Sequence, residues 1–355
     1  MKFRSAAAAI FTLLGVAAIL GLAILPLFGH SGDVLLLADQ GPSALPLSKL
    51  GGAAPAEATP VGAPPAGLQS QEPSAESPEI NPITLRVGTW NVRDCAAWDN
   101  ASKERIALHD YVAATIREAE VDILLFQEIQ SDESKGGDIA LLSVALAKQG
   151  WAMPYTAVVN AKGEDDLAVF SRYKIEAQGS VLEPSATDPW PRPGIYAKVE
   201  IAQTPLHLYG FHFKAMGDKK SETTRKAQAL ALVQALAERH SGVLDTDRII
   251  VAGDFNTANP SDLSGSDATL STLCSLGDQD PSNDFLALNY QFHPDVPSFV
   301  DSRYRSVLDH ILVSSSLKVG MSQDSIHLIE AVKAQGTIPT SDHRLLLAEI
   351  VLAAR

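Results

Sequence analysis

From residue 82 onward, short apolar runs alternate with amphipathic stretches, and the period of each run predicts its element. Ile83–Val92, Val121–Glu128, Tyr155–Val159, Leu167–Ser171, Gly194–Ile201, Leu206–Phe213, Ile249–Ala252, Leu308–Val313 and Leu345–Val351 are apolar, β-branched or alternating, and read as strands. Ser102–Glu120, Ile139–Gln149 and Glu222–His240 carry a helical period; the last places Ala229, Leu232, Val233 and Leu236 on one face. βα units come first and strand follows strand later. That order predicts an α+β fold of two sheets packed face to face with helices outside.

The pattern before residue 82 is different. Ala6–Phe28 is 23 residues without a charge, and only Thr12 is polar. A secretory apolar core is usually about 7–15 residues, whereas a bilayer span needs about 20. The run therefore predicts a membrane anchor over residues 1–30, with a cleaved signal peptide at the weak small-residue site Gly29-His30-Ser31 as the alternative. Lys2 and Arg4 precede it, which places the rest of the chain across the membrane, periplasmic or extracellular, and secreted if the segment is cleaved. Residues 41–80 hold eight of the 21 prolines and no aromatic residue, so residues 31–81 read as a flexible spacer. Residues 82–355 remain, long enough for one large α/β domain.

Charge narrows the function class. The net charge is −14; the three basic and six acidic residues before residue 82 leave the folded part at −11. This argues against a basic nucleic-acid-coating protein, and the composition argues against a disordered chain or a multi-span membrane protein. An enzyme that meets an anionic substrate through metal ions stays open. Cys95 and Cys274 form no metal-type CxxC pair; outside the cytoplasm they could bond to one another or stay as buried thiols.

Polar residues of a few types recur at the ends of the apolar strands: Asn91, Glu128, His212, Asp254 with Asn256, Asp309 with His310, and Asp342 with His343. Strand ends hold side chains rigidly at one rim. Carboxylates with an amide oxygen suit Mg²⁺, Mn²⁺ or Ca²⁺ better than Zn²⁺. A histidine beside a carboxylate can be oriented for proton transfer. Singly, each residue has a structural account: a solvated strand end for Glu128, a cap or Asx turn for Asp254 and Asn256, a core histidine for His212, a turn cap for Asp342. Together, such elements, each against a β-run, are not explained by chance.

The order Thr89-Trp90-Asn91-Val92, Gln127-Glu128, Gly210-Phe211-His212, Gly253-Asp254-Phe255-Asn256, Leu308-Asp309-His310 and Ser341-Asp342-His343 resembles the endonuclease/exonuclease/phosphatase superfamily, over about residues 84–352. The resemblance implies a four-layer α/β sandwich and Mg²⁺-dependent hydrolysis of a phosphoester, with Mn²⁺ or Ca²⁺ as alternatives. It implies that Asn91 and Glu128 hold the metal with Asp342 nearby. Asp254 would align or activate the attacking water or hold a second metal. Asn256 would bind a phosphate oxygen, and His343 would act on the phosphate or as general base, its ring oriented by Asp309. His212 matches the deoxyribonuclease branch, where it serves as an acid toward the leaving oxygen; Asp165 is its candidate carboxylate partner, with Glu164 and Asp166 competing. Arg192 resembles a phosphate-contacting arginine, with a solvated loop charge as its plain account. His310 stands where several branches have an aromatic residue or an arginine, which weakens an inositol-phosphatase reading.

The leading expectation is a metal-dependent nuclease acting on DNA or RNA. The anchor motivates the alternative, a membrane-tethered phosphatase or a sphingomyelinase-like phospholipase. A non-catalytic binding domain ranks below both, because none of the main positions is missing. Lys214, Lys219, Lys220 and Arg225 form a local basic cluster suited to a polyanion, or a solvated helix start. No protein partner is evident from the sequence.

Overall fold

The computed structural model describes residues 82–352, apart from 100–101, 133–136, 162–164, 186–189 and 337. The expected anchor and spacer lie outside the described residues, as does Glu164. Among the described residues, no helix is long and apolar enough to cross a membrane.

Sixteen strands are described: β1 (Ile83–Asn91), β2 (Ala96–Asp99), β3 (Glu104–Ala107), β4 (Ile123–Ile129), β5 (Tyr155–Val159), β6 (Asp166–Ser171), β7 (Ile175–Val181), β8 (Gly194–Ile201), β9 (Thr204–His212), β10 (Ile249–Asp254), β11 (Leu286–Ala287), β12 (Phe299–Val300), β13 (Arg305–Ser306), β14 (Asp309–Val313), β15 (Ile326–Ile329) and β16 (Leu345–Leu352). The helices are α1 (His109–Glu118), α2 (Asp138–Lys148), α3 (Lys219–Arg239), α4 (Pro260–Leu263), α5 (Thr269–Ser275) and α6 (Leu288–Phe292). Two six-stranded sheets run in the orders β15-β16-β1-β4-β6-β5 and β11-β14-β10-β9-β8-β7. Each is mixed: β1 lies parallel to β4, and β9 parallel to β10, while their other neighbours are antiparallel.

The period-two alternation sorts these strands into layers. Leu85, Val87, Ile123, Leu125, Leu206, Leu208, Ile250, Ala252, Ile311 and Val313 join one core between the sheets. Their odd-even partners face outward. Trp90, Leu124 and Phe126 pack with Val112, Ile116, Leu142 and Leu146 of α1 and α2. Tyr209, Phe211, Val251 and Leu312 pack with Ala229, Leu232, Leu236 and Leu273 of α3 and α5. The result is the expected sandwich, helix–sheet–sheet–helix.

Several local expectations change. The helix expected over 102–120 is only α1; its first part is the turn into β3 and β3 itself, paired with β2 in a hairpin. The Asp99 side chain accepts from Ser102 N at 3.1 Å and Lys103 adopts φ 63°, so a tight turn wins over the helical period there. Strands β7 and β15 and the short helices α4, α5 and α6 carry too little periodicity to be read in advance. Cys95 and Cys274 are both free thiols; they sit in the opposite outer layers of the sandwich.

Candidate active site

The inner-face parity that places Val87, Leu208, Ala252 and Ile311 in the central core continues to the strand ends. There it delivers Asn91, His212, Asp254 and Asp309 between the sheets at one rim. In the register of the second sheet, Asp254 stands opposite both His212 on β9 and Asp309 on β14. Gly253 permits this spacing: its φ is 151°, and a Cβ there would lie 2.0 Å from the Phe211 carbonyl oxygen.

Glu128 breaks the parity. Gln127 already faces inward, where its amide bonds Thr89 Oγ1 at 3.0 Å, so a regular strand would turn Glu128 to the helical side. Instead β4 has a bulge between Gln127 and Ile129, and Glu128 takes φ 51°. A bulge re-aims one side chain. Here it brings Glu128 Oε1 to 2.9 Å from Asn91 Nδ2, which also donates to Asp254 Oδ2 at 3.3 Å.

His343 is brought in by long-range contacts. Its carbonyl accepts from Trp90 Nε1 at 3.0 Å, its amide donates to Ser341 Oγ, and Ser341 Oγ donates to the Asn91 carbonyl at 2.7 Å. Phe299 packs edge-on against the ring at 5.0 Å. His343 Nδ1 meets Asp309 Oδ2 at 2.8 Å, and Nε2 lies 3.8 Å from Asp254 Oδ2. Burial by itself would lower the imidazole, but Asp309 and then Asp254 outweigh it and push it up to about 10. Asp309 is fully buried, and its other oxygen, Oδ1, has no partner. Burial pushes Asp254 up to about 7 against the pull of His343, with Asp309 and Glu128 adding to the rise. The Asp309 carboxylate and the His343 imidazolium therefore form the standing ion pair, and Asp254 is the carboxyl poised near neutrality. Glu128 is raised too, by burial first, while Asn91 opposes.

His212 Nε2 lies 3.6 Å from Asp254 Oδ2 and 3.8 Å from Glu128 Oε1. Burial, then the Arg192 and His343 cations, hold it well below the usual histidine range, so it is neutral. Its Nδ1 is buried without a partner. The expected Asp165–His212 hydrogen bond is absent: Asp165 belongs to Arg192, whose Nε donates to Asp165 Oδ2 at 2.9 Å and whose Nη1 donates to the Phe213 carbonyl at 3.3 Å. A guanidinium competes better for a carboxylate than a neutral imidazole does. Asp165 still lies within 4.8 Å of His212 and Glu128. Its competitor Asp166 is taken up structurally, accepting from Ser131 N at 3.0 Å, Ser131 Oγ and Ala161 N at 2.8 Å.

Asn256 curls over the site at φ 51°; its amide N donates to Asp254 Oδ1 at 2.9 Å and its Nδ2 donates to the Phe213 carbonyl at 3.2 Å. Asp342 stands at the edge, partly exposed, 3.4 Å from Arg93 Nη1, and its charge reaches Glu128 and His343. His310, next to Asp309, points outward by the same parity. Asn289 Nδ2 donates to its Nδ1 at 3.3 Å, leaving Nε2–H to donate to Thr257 Oγ1 at 2.8 Å. Burial holds it down at about 4, so it is a satisfied core histidine.

Two features escaped the sequence. Arg93, Asp94 and Cys95 are consecutive left-handed residues, φ 51°, 53° and 43°. None is glycine, and each costs roughly 1–2 kcal/mol. Their turn brings Asp94 near Glu128; burial, then Glu128, pushes Asp94 up to about 6. The second is Arg225. It leaves the expected basic cluster because it is buried, with Nε and Nη2 on the Asp262 carboxylate at 3.0 and 2.6 Å and Nη1 on the Lys214 and Met216 carbonyls. Lys219 pairs with Glu222 at 3.0 Å. A basic residue at a helix start is indistinguishable in sequence from one that clamps a distant acid.

The sequence profile of the Endonuclease/Exonuclease/phosphatase family matches residues 88–343, the span that carries every strand-end residue above. The chain belongs to that family. Solved structures share the fold. An endonuclease/exonuclease/phosphatase family protein from Bacteroides thetaiotaomicron superposes with a TM-score of 0.52 at 18% identity, covering 77% of this chain and 96% of its own. TDP2 from D. rerio, complexed with single strand DNA product, gives 0.51 at 16% identity over 75% of this chain and 98% of its own. The human Nocturnin catalytic domain with bound sulfate anion gives 0.50 at 17% identity, covering 75% and 94%. No curated protein matches the sequence.

Enzymes of the endonuclease/exonuclease/phosphatase family depend on a divalent metal, and the residues at this rim fit such an ion. The donors at Asn91, Glu128 and Asp254 are hard oxygens, two of them on carboxylates whose burial makes charge costly. The Asn91 Nδ2 that bridges these carboxylates occupies the position a cation would satisfy; turning the amide over presents Oδ1 instead.

Proposed function

We propose that this chain is a divalent-metal-dependent phosphodiester hydrolase acting on nucleic acid. The observation that carries the reading is the convergence of Asn91, Glu128, Asp254 and the Asp309–His343 ion pair on one buried rim. Asn91 and Glu128, with Asp254 beside them, would hold the cation, Mg²⁺ by its donor chemistry. When bound, it neutralises phosphate charge and polarises the P–O bond. The chain's own groups supply the rest. Asp254, whose Oδ2 faces Asn91 and the His343 ring, accepts the proton of the attacking water. His343 is already an imidazolium, so it stabilises the phosphoryl oxygens rather than acting as a base. His212, neutral, donates a hydrogen bond through Nε2 toward the leaving oxygen. Arg192, steadied by Asp165, and Asn256 orient the phosphate. Nucleic acid is favoured because the D. rerio relative was solved with single strand DNA product on this fold.

A second reading keeps the mechanism and changes the substrate to a single or lipid-borne phosphoester. The buried Arg225 and the Lys219–Glu222 ion pair favour it, since they thin the basic cluster that a long polyanion would follow, leaving Lys214 and Lys220. The deciding experiment is a panel of plasmid DNA, single-stranded DNA, RNA, sphingomyelin, phosphoinositides and nucleotides, with Mg²⁺ and with EDTA. Cleavage of nucleic acid that stops in EDTA is expected. Turnover of a lipid or small phosphoester with nucleic acid left intact would replace the first reading by the second. No metal-dependent turnover of any phosphoester would overturn both. We also infer that residues 6–28 hold the catalytic unit at the outer face of the cytoplasmic membrane, with residues 31–81 as spacer. The full chain should then sediment with membranes and residues 82–355 should not.

A further inference from the structure

A second cluster of ligating side chains lies on the other side of the Arg93–Cys95 turn. Cys95 ends that turn, His109 is the first residue of α1 and Asp138 the first residue of α2. Hairpin β2–β3 closes the gap between the first two: Ala96 pairs with Ala107, and Leu108 N donates to the Cys95 carbonyl at 2.7 Å. Cys95 Sγ, a ring nitrogen of His109 and a carboxylate oxygen of Asp138 all lie within 4.8 Å of one another. The thiol is fully buried and Asp138 is 4% exposed, while the His109 side chain, 13% exposed, forms the edge nearest solvent.

The arrangement has the parts of a bound-ion site. His109 Nε2 meets Asp138 Oδ1 at 2.7 Å, while Asp138 Oδ2 is fixed by the Gln130 amide at 2.8 Å, and Asp138 N donates back to the Gln130 carbonyl. The Gln130 contact orients the carboxylate and leaves Oδ1 to His109, as outer partners of metal ligands do. Asp94, next to Cys95, keeps a buried Oδ1 without a partner. Burial first, then Asp138 and Asp94, push the Cys95 thiol up, and the same negative charges attract a cation. The buried Cys95 closes a run of three left-handed non-glycine residues, a conformation that persists only where the surroundings hold it.

We propose that Cys95, His109 and Asp138 form a second cation site, selective for a thiophilic divalent ion such as Zn²⁺ and separate from the oxygen-rich site at Glu128. One thiolate, one imidazole and one carboxylate suit a borderline ion and not Mg²⁺. On binding, Cys95 Sγ–H releases its proton to solvent, and His109 changes tautomer: the proton that Nε2 donates to Asp138 leaves to solvent and Nδ1 takes one up, so the neutral ring offers its Nε2 lone pair to the ion. Glu128 lies two residues before Gln130, so an ion here would fix the bulge that aims Glu128 at Asn91.

The test uses the full-length chain, stripped of metal and kept reduced, titrated with Co²⁺ as a spectroscopic probe. One equivalent should give a thiolate-to-cobalt absorption band that Zn²⁺ abolishes and excess Mg²⁺ leaves unchanged. Cys95→Ser should lose the band, and Zn²⁺ affinity should fall by more than the roughly 10–100-fold that losing an orienting partner costs. Cys274→Ser and Glu128→Gln should keep it. If Cys95→Ser fails to fold, His109→Gln decides with the thiol in place, and it should weaken Zn²⁺ to the same extent. Absence of a thiolate band on the folded chain, its survival in Cys95→Ser, or its loss in Cys274→Ser would overturn the proposal.

Discussion

Asp254 is the carboxylate whose charge the metal-free site tolerates least, and Asp254→Asn measures how much. Its side chain is 3% exposed and pushed from 3.8 to about 7, chiefly by burial. Between about pH 4 and pH 7 the folded chain holds a proton that the unfolded chain has released. Stability therefore falls as pH rises through that window, and the whole loss is present above about pH 7. A shift of about 3 units at about 1.4 kcal/mol each sets a ceiling of about 4 kcal/mol. Asparagine keeps an acceptor for Asn256 N, but its NH₂ faces Asn91 Nδ2, 3.3 Å away in the native contact, which costs about 1 kcal/mol. The variant should thus be about 3 kcal/mol more stable than the natural chain at about pH 8 in EDTA, and no more stable near pH 4. In a domain of this size that is a rise of roughly 6–12 °C in Tm. Urea unfolding in EDTA at both pH values is the assay. Mg²⁺ should then stabilise the natural chain and do far less for the variant, which should be inactive. A variant no more stable at about pH 8, or equally stabilised at both pH values, would refute the picture of an uncompensated buried carboxylate.

The remaining predictions address neighbouring groups. Asp309→Asn removes the charge that outweighs burial at His343, so the imidazole should titrate well below about 10 by NMR and kcat should fall by about 10²–10⁴-fold; an unmoved titration would mean that Asp254 alone sustains the imidazolium. His310→Gln should cost about 1–3 kcal/mol of stability through its contacts to Thr257 and Asn289 while leaving kcat within about twofold; a large loss of kcat in a folded variant would return His310 to the site. Arg225→Met leaves Asp262 buried with fewer partners, so it should destabilise by about 3–5 kcal/mol without changing the salt dependence of substrate binding; a shallower salt dependence would restore Arg225 to an anion-binding surface.

Alternation of period two, with strand ends marked by polar residues, determined much of this molecule in advance. It set the two sheets and their inner faces, and by simple parity it set Asn91, His212, Asp254 and Asp309 at one rim. A strand fixes the direction of every second side chain, so such residues were legible from their own neighbours. Glu128 was legible as chemistry but not as geometry, because parity points it at the helices and only the β4 bulge turns it inward. The partner of Asp165, the burial of Arg225 by Asp262, and the turning of Asp342 to Arg93 were decided by tertiary structure alone. Each joins charges tens to hundreds of residues apart that only the folded chain brings together, so no local pattern encodes the pairing. The protonation states follow the same rule. Asp254 and His343 are ordinary residues in sequence; burial beside Asp309 is what makes one a carboxyl near neutrality and the other a standing cation.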